Sequence, residues 1–364
     1  MRIGIDISSV VYGTGVSRYT SNLTRALIKR FPKEEFIFYG GSLRHFGRLK
    51  QFSEETGADE TSLYPLPPRL SSVVFNKLHL SIERFSQNLD VFHSWDWYTP
   101  KTIKAALVTT VHDLSAIKYP QDTNPDIVKH HKQSLAWIKK EASEVIAVSN
   151  ATKKDLVEII GIGKERVNVV YEGLPEEQRI DVAKSGVKRV KQKYSIDKPY
   201  MLIVGSQEPR KNLNRMIEAW ERFNKDYLLV LVGKKGYLQV ADRPGMVKTG
   251  YVDSRELAAL YKGSVCLLFA SIYEGFGLPI LEAFYHETPV VTGNISSMPE
   301  VAGEAGVLVN PLDVDSITEG MKQALENKAQ LVKLGKQRLK KFDWDEVADK
   351  TMEIYIKASG DRRV

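Results

Sequence analysis

The sequence predicts an α/β protein made of two Rossmann-like units, and three observations carry that expectation. Short apolar runs alternate with longer stretches of helical period, the pattern of parallel sheets covered by helices. The 364 residues are too many for one ordinary core and about right for two. A polar, Lys-rich stretch at 179–198 interrupts the alternation, which then restarts.

Strands are expected in the first half at 2–7, 36–39, 90–92, 107–111, 145–148 and 167–170, with helices at 17–31, 126–142 and 150–160. Asn124 and Ser149 stand where side chains accept the first free N–H groups of the last two helices. The second half predicts strands at 200–204, 228–232, 265–270, 289–292 and 307–309, and helices at 212–223, 254–262, 278–287 and 313–326. The units are therefore placed at 1–178 and 179–342. A last helical stretch, 343–357, follows the final strand and is free to dock on either unit. Ligands of open α/β sheets bind outside the carboxyl ends of the strands, so the chemistry is expected in the strand-to-helix loops.

Composition removes several classes. Hydrophobic residues at 43% and charged residues at 27% suit a soluble globular chain and exclude disorder as the main state. The single cysteine, Cys266, forms no internal disulfide, and a reducing compartment is expected. Lys and Arg number 52 against 45 Asp and Glu, a net charge of +7 that favours an anionic partner such as phosphate, nucleic acid or an anionic lipid surface. Residues 1–10 lack the basic lead and apolar middle of a signal peptide. Apolar runs such as 227–232 are too short to cross a bilayer. A cytoplasmic protein is expected, resting at most on a membrane surface.

The sharpest motif is YEGFGLPILEA, 273–283, directly after an expected strand. Glu274 and Glu282 bracket a Gly-Phe-Gly turn and a helix start at which Pro279 is pre-set. The N–H groups of Phe276, Gly277 and Leu278 would face an anion there. The two carboxylates, which would repel a diphosphate, suit sugar hydroxyls instead. The plainer reading makes Glu282 a partner of the helix dipole and Glu274 a solvated loop charge. VGSQEPRKNL, 204–213, is a second strand–turn–helix junction, where Arg210 and Lys211 stand beside a helix start capped by Asn212 or a neighbour. Cations are unfavourable at that end of a helix, so something anionic should compensate, either a bound diphosphate or, more plainly, solvent around a basic turn.

Two further loops belong to the first unit. SVVYGTGVSRY, 9–19, is Gly-rich, but Arg18 stands where the dinucleotide fingerprint needs a third glycine, which disfavours a nicotinamide site. Gly13 and Gly15 would instead let that loop approach a phosphate. In VHDLS, 111–115, His112 ends a buried strand and could bond a sugar, or simply Asp113; His93 is a lesser candidate. The pairs Asp313/Asp315 and Asp343/Asp345 precede helices and are expected to be caps, so no metal is expected. Residues 69–85 combine helical apolar spacing with Arg69, Lys77 and Arg84, which predicts an amphipathic helix, either packed on its sheet or lying at a membrane interface. The basic runs 187–194 and 336–342 lack interleaved aromatic platforms, which argues against nucleic-acid binding.

Across nearly the whole chain these segments, in this order, resemble the family 4 retaining glycosyltransferases of the GT-B fold. EGFGLPILE meets the family's E-x7-E pattern with Glu274 and Glu282; EPRKN at 208–212, SSMPEVAGEAG at 296–306 and VHDLS agree with it. Within the family the chain looks most like bacterial mannosyltransferases that use GDP-mannose. The resemblance implies an N-terminal acceptor unit and a C-terminal unit for the nucleotide-sugar donor, with residues 343–364 crossing back to the N-terminal unit. It also implies that Glu282 holds the ribose, Glu274 the sugar, Arg210 and Lys211 the diphosphate, with Gly15 against the phosphate and His112 against the sugar. Family members often carry a further Arg soon after the first strand of the second unit; here Gly205-Ser206-Gln207 stands there, leaving Arg210 to supply the cation. The implied reaction is retaining, needs no cofactor or metal, and delivers the sugar to a glycan or lipid-linked acceptor. The alternatives are a nucleotide-sugar epimerase, a synthase with a soluble acceptor, or a non-catalytic partner subunit, with a dehydrogenase more distant.

Overall fold

The computed structural model describes residues 1–67, 70–71, 73–85, 88–95, 97–223 and 226–360. It divides into two compact units, one of Met1–Gly173 with the residues from Asp343 on, the other of Leu174–Phe342. The division falls five residues before the expected junction, because 174–178 pack in the second unit. Leu174 N–H donates to Phe342 O (3.3 Å), and Gln178 is fully buried.

Among the described residues, the first unit holds β1 Arg2–Asp6, β2 Glu35–Gly41, β3 Glu60–Tyr64, β4 Val91–Trp95, β5 Ala106–Val111, β6 Glu144–Ala147 and β7 Val167–Val169. They form one parallel sheet in the order β3-β2-β1-β4-β5-β6-β7. Apolar side chains such as Ile37, Phe92, Leu107, Val111 and Val145 close against Leu135 and Ile138 of the helix Pro125–Glu141. Each such burial contributes about 1.5–3 kcal/mol. The helix after β1 starts at Gly15, two residues earlier than expected, because Thr14 and Ser17 cap it reciprocally. The helix expected at 150–160 is α-helical over Asn150–Asp155 and continues as a π turn over Leu156–Ile160.

The helix Trp344–Ser359 belongs to this unit and packs along the helix Gly15–Arg30. Arg30 grips Asp349 with Nε and Nη2 at 2.5 and 2.7 Å, and Lys357 reaches Glu144 on β6 at 2.8 Å. Asp343 caps its start by accepting Asp345 N–H, and Asp313 caps Val314–Glu326 in the same way, so both Asp pairs act as caps.

The second unit holds β8 Tyr200–Val204, β9 Leu228–Val232, β10 Met246–Gly250, β11 Cys266–Phe269, β12 Val290–Gly293 and β13 Gly306–Val309, parallel and ordered β10-β9-β8-β11-β12-β13. Its core joins Met201, Ile203, Leu229, Leu231 and Leu268 to Met216 and Trp220 of the helix Leu213–Phe223 and to Ile317 and Met321 of Val314–Glu326. Cys266 is buried in β11, which pushes its thiol up to about 12 and leaves it inert at neutral pH.

The amphipathic helix expected over 69–85 is not formed as such; Arg69 and Ser72 lie outside the described residues. Val73–Lys77 is a π turn and Ile82–Arg84 a 3-10 turn. Asn76 is the reason: fully buried, it donates to Trp97 O (3.0 Å) and accepts Thr99 N–H (3.1 Å), while its carbonyl takes bonds from Gln133 and Trp137. Those tertiary bonds replace helical ones. No helix among the described residues is long and apolar enough to cross a membrane.

Candidate active site

In the second sheet β8 lies between β9 and β11, so the chain order reverses at β8 and a ligand crevice is expected outside its carboxyl end. The loop after β8 carries Arg210 and Lys211, and the loop after the neighbouring β11 carries Glu274. The two loops are tied by a backbone bond from Ile272 N–H to Arg210 O (2.8 Å).

Arg210 and Lys211 lie in a 3-10 turn, Pro209–Lys211, and Asn212 follows at φ 59°. The Asn212 backbone carbonyl accepts Met216 N–H (3.3 Å) at the helix start, but its side-chain oxygen takes Arg215 Nη1 (3.1 Å) rather than a free backbone N–H of the helix. Its amide donates to Ala270 O (2.9 Å) and Pro311 O (2.6 Å), pinning the turn to the ends of β11 and β13. Lys211 Nζ sits 2.7 and 2.8 Å from the two carboxylate oxygens of Glu274, and Arg210 Nη1 lies 3.3 Å from Oε2. Glu274 is only 6% exposed, which rules out the solvated-charge reading. Burial opposes its charge, but Lys211 and Arg210 outweigh that and hold its carboxyl below the ordinary range.

Glu208, which stands in the sequence only as part of the EPRKN motif, accepts Arg210 Nε at 2.9 Å and Ser206 Oγ at 2.6 Å. Two cations thus meet two carboxylates and the four charges sum to zero. The compensating anion inferred from the sequence is at least partly the protein itself.

The Glu274 loop is clamped from the β12 side. Ser296 accepts Glu274 N–H (3.2 Å) and donates to Glu274 O (2.6 Å), and Ser297 donates to Phe276 O (2.6 Å). Gly277 caps the helix Leu278–Tyr285 at φ 120°, a conformation that side chains resist. The Phe276 side chain is buried edge-on against Phe342 (centroids 5.8 Å), so only its backbone is available to a ligand, and Leu278 is half-buried. Glu282, on that helix and 2% exposed, accepts the Tyr261 hydroxyl at 2.7 Å. Tyr261 stacks on His286, whose pKa burial, aided by Lys262, pushes down to about 4.

The remaining candidates belong to the first unit. Gly13 turns at φ 66°, and nothing lies within 4 Å of where a side chain would begin at Gly13 or Gly15. His112 follows β5, with Nδ1 3.4 Å from Glu172 Oε1. Tyr19, on the helix that Gly15 begins, meets the His112 ring edge-on at 4.8 Å. His93 is fully buried between Tyr355 Oη (2.6 Å) and Thr110 Oγ1 (2.8 Å), and burial pushes it down to about 3, making it a neutral structural tie. Among the described residues no group of His, Cys, Asp and Glu is arranged to hold a metal ion.

Residues 13–178 match the family described as Glycosyltransferase Family 4, and residues 186–341 match that described as Glycosyl transferases group 1. An O-antigen chain mannosyltransferase B of Escherichia coli is 27% identical, over 94% of this chain and 96% of that protein. An O-antigen chain mannosyltransferase of Salmonella typhimurium is 28% identical, over 58% and 59%. Among solved structures, the Anabaena protein HepE in complex with UDP and glucose superimposes with a TM-score of 0.68 at 16% identity, over 97% of this chain and 98% of that one.

Proposed function

The chain belongs to glycosyltransferase family 4, and we propose that it moves a mannosyl group from GDP-mannose to a glycan or lipid-linked acceptor in the cytoplasmic synthesis of a surface polysaccharide, with retention at the anomeric carbon and without a metal ion. One observation carries the reading: Arg210, Lys211 and Glu274 are gathered beside the switch point of the second sheet. Similarity to an O-antigen mannosyltransferase over 94% of the chain supports the choice of sugar.

In this mechanism the bond between the anomeric carbon and the diphosphate breaks, and the acceptor hydroxyl bonds to that carbon from the same face. The departing diphosphate takes the hydroxyl's proton. Lys211 has three N–H donors, two of them directed at Glu274, and the third serves a phosphate oxygen. Glu274 holds Lys211 in place and accepts from the sugar's hydroxyls. Charge builds on the leaving diphosphate in the transition state, so preorganised cations there lower the barrier. Glu282 accepts from the ribose, with Tyr261 fixing its carboxylate.

Incubating the purified protein with GDP-mannose and a mannose-terminated acceptor, with and without EDTA, tests this. Transfer that survives EDTA and yields an α-linked product by NMR is expected. A β-linked product, loss of transfer with EDTA, epimerised donor without acceptor, or stabilisation by UDP or ADP but not GDP would each overturn the corresponding part. At 100 times its dissociation constant, the matching nucleotide adds about 2.7 kcal/mol of stability.

A further inference from the structure

We propose that Glu172 is a positioning residue for His112: its carboxylate holds the Nδ1 proton, so that the neutral ring presents the Nε2 lone pair to a hydroxyl of the bound sugar. The inference rests on the proposed glycosyl transfer and on the expectation, implied by the family resemblance, that His112 contacts the transferred sugar.

β5 and β7 flank β6, so the residues just beyond their carboxyl ends lie on the same edge of the sheet. His112 directly follows β5; Glu172 is three residues past Val169. Glu172 is 5% exposed, and a carboxylate so far from water needs a donor. Among the described residues, the basic group within ion-pair distance of it is His112, at 3.4 Å.

A closed circuit of contacts fixes the pair. A side chain at Gly173 would begin 2.9 Å from the Trp344 indole, so the backbone next to Glu172 passes close against that ring. Trp344 packs on Tyr19 (5.6 Å), and Tyr19 meets the His112 ring edge-on. Thr152 Oγ1 donates to His112 O (3.3 Å), fixing the backbone. Of the other polar groups around the ring, His93 is neutral, Asp113 accepts Ser115 N–H (2.7 Å), and burial above all, with the charge of Glu172, pushes the Tyr19 phenol up.

An ionised carboxylate only accepts hydrogen bonds. The ring nitrogen facing it must carry the proton, which leaves the other nitrogen of a neutral imidazole as an acceptor. Glu172 thereby sets the tautomer of the neutral ring, whose Nε2 takes a hydroxyl hydrogen; a doubly protonated ring would instead give one.

The test is nitrogen-15 NMR of the imidazoles at neutral pH, with His112 assigned from the spectrum of His112→Asn, alongside the kinetics of Glu172→Ala and Glu172→Gln. In the wild type, His112 Nδ1 is expected to be protonated and Nε2 bare. Glu172→Ala is expected to lose that preference and about tenfold in kcat, the worth of one hydrogen bond, with the donor KM within twofold. Glu172→Gln, which keeps an accepting oxygen and the side chain's shape, is expected to recover most of both. A bare Nδ1 or a doubly protonated ring in the wild type, or a Glu172→Ala protein with unchanged spectrum and kcat, overturns the inference. If the spectra behave as expected but His112→Ala transfers sugar normally, the pairing stands and the sugar contact falls.

Discussion

Lys211→Met isolates the ammonium that the site is built around, because it removes the charge while keeping an apolar stem of similar length. In the wild type that charge faces both oxygens of Glu274 at 2.7 and 2.8 Å, with Arg210 at 3.3 Å already engaged by Glu208 at 2.9 Å. Breaking a buried pair by removing one partner costs about 3–5 kcal/mol; the remaining Arg210 places the expected loss near the lower end, about 3 kcal/mol. Adding Glu274→Gln removes the stranded charge, so the double variant is expected to be at least about 1 kcal/mol more stable than the sum of the single losses. The Glu274 carboxyl lies below its ordinary value of 4.5 in the folded protein, so its stabilisation is present above the unfolded pKa and lost as pH falls through the folded one. Without Lys211 the folded pKa rises and that window narrows. Hydrogen exchange of the β8 and β11 amides at pH 7 and pH 4 reads these changes in the second unit alone, and transfer is expected to slow by about 10². A Lys211→Met protein within about 0.5 kcal/mol of wild type, transferring sugar at a near-normal rate, would refute both the pairing and the clamp.

Further outcomes follow from the buried groups. His93 has a folded pKa near 3 against 6.5 when unfolded, so its penalty is absent well above pH 6.5 and stability is lost as pH falls through that value; between 6.5 and 4.5 the loss is about 2.3 kcal/mol. Urea unfolding of the first unit across that range, compared with His93→Gln, is expected to show a flatter profile in the variant, and equal slopes would contradict the assignment. Tyr261→Phe removes the hydroxyl bond to Glu282 and, on the proposed reading, is expected to weaken GDP binding by calorimetry about tenfold with little change in kcat. A pure kcat effect would place Glu282 elsewhere than on the ribose. Glu208→Gln, which loosens Arg210 alone, is expected to lower kcat less than Lys211→Met does, and the reverse ranking would make Arg210 the principal cation.

The parts of the fold legible in the sequence are those where one face decides the outcome. Interior strands such as 200–204 and 228–232 appear at their expected limits because both faces are buried and the apolar run is continuous. The two strands the sequence hid, β3 and β10, are sheet edges. ETSLY and MVKTG are half-buried or exposed throughout, so no apolar run marks them. The amphipathic spacing of 69–85 misled for a different reason. The buried amide of Asn76 offers the backbone tertiary partners, and periodicity carries no trace of them.

The same distinction governs the site. Sequence spacing exposes residues whose chemistry is local: a cationic pair after one strand, an acid after another, a glycine that must turn at φ 120°. It does not expose which of these groups answer one another, because that depends on which strands are neighbours. Read along the chain, Lys211 and Glu274 are two ligand groups with separate tasks. In the sheet, β8 and β11 are adjacent, and the two side chains neutralise each other before any donor arrives. On the function proposed above, an approaching diphosphate would therefore meet a site of balanced charge. It would gain less long-range attraction than two bare cations would give, but would meet donors already oriented, so on that reading the cluster's advantage would lie in reduced reorganisation at the leaving group rather than in capture of the nucleotide. A steep fall of donor kcat/KM with ionic strength, as two uncompensated cations would produce, would contradict this; a shallow dependence together with a large loss of kcat in Lys211→Met is the expected pattern.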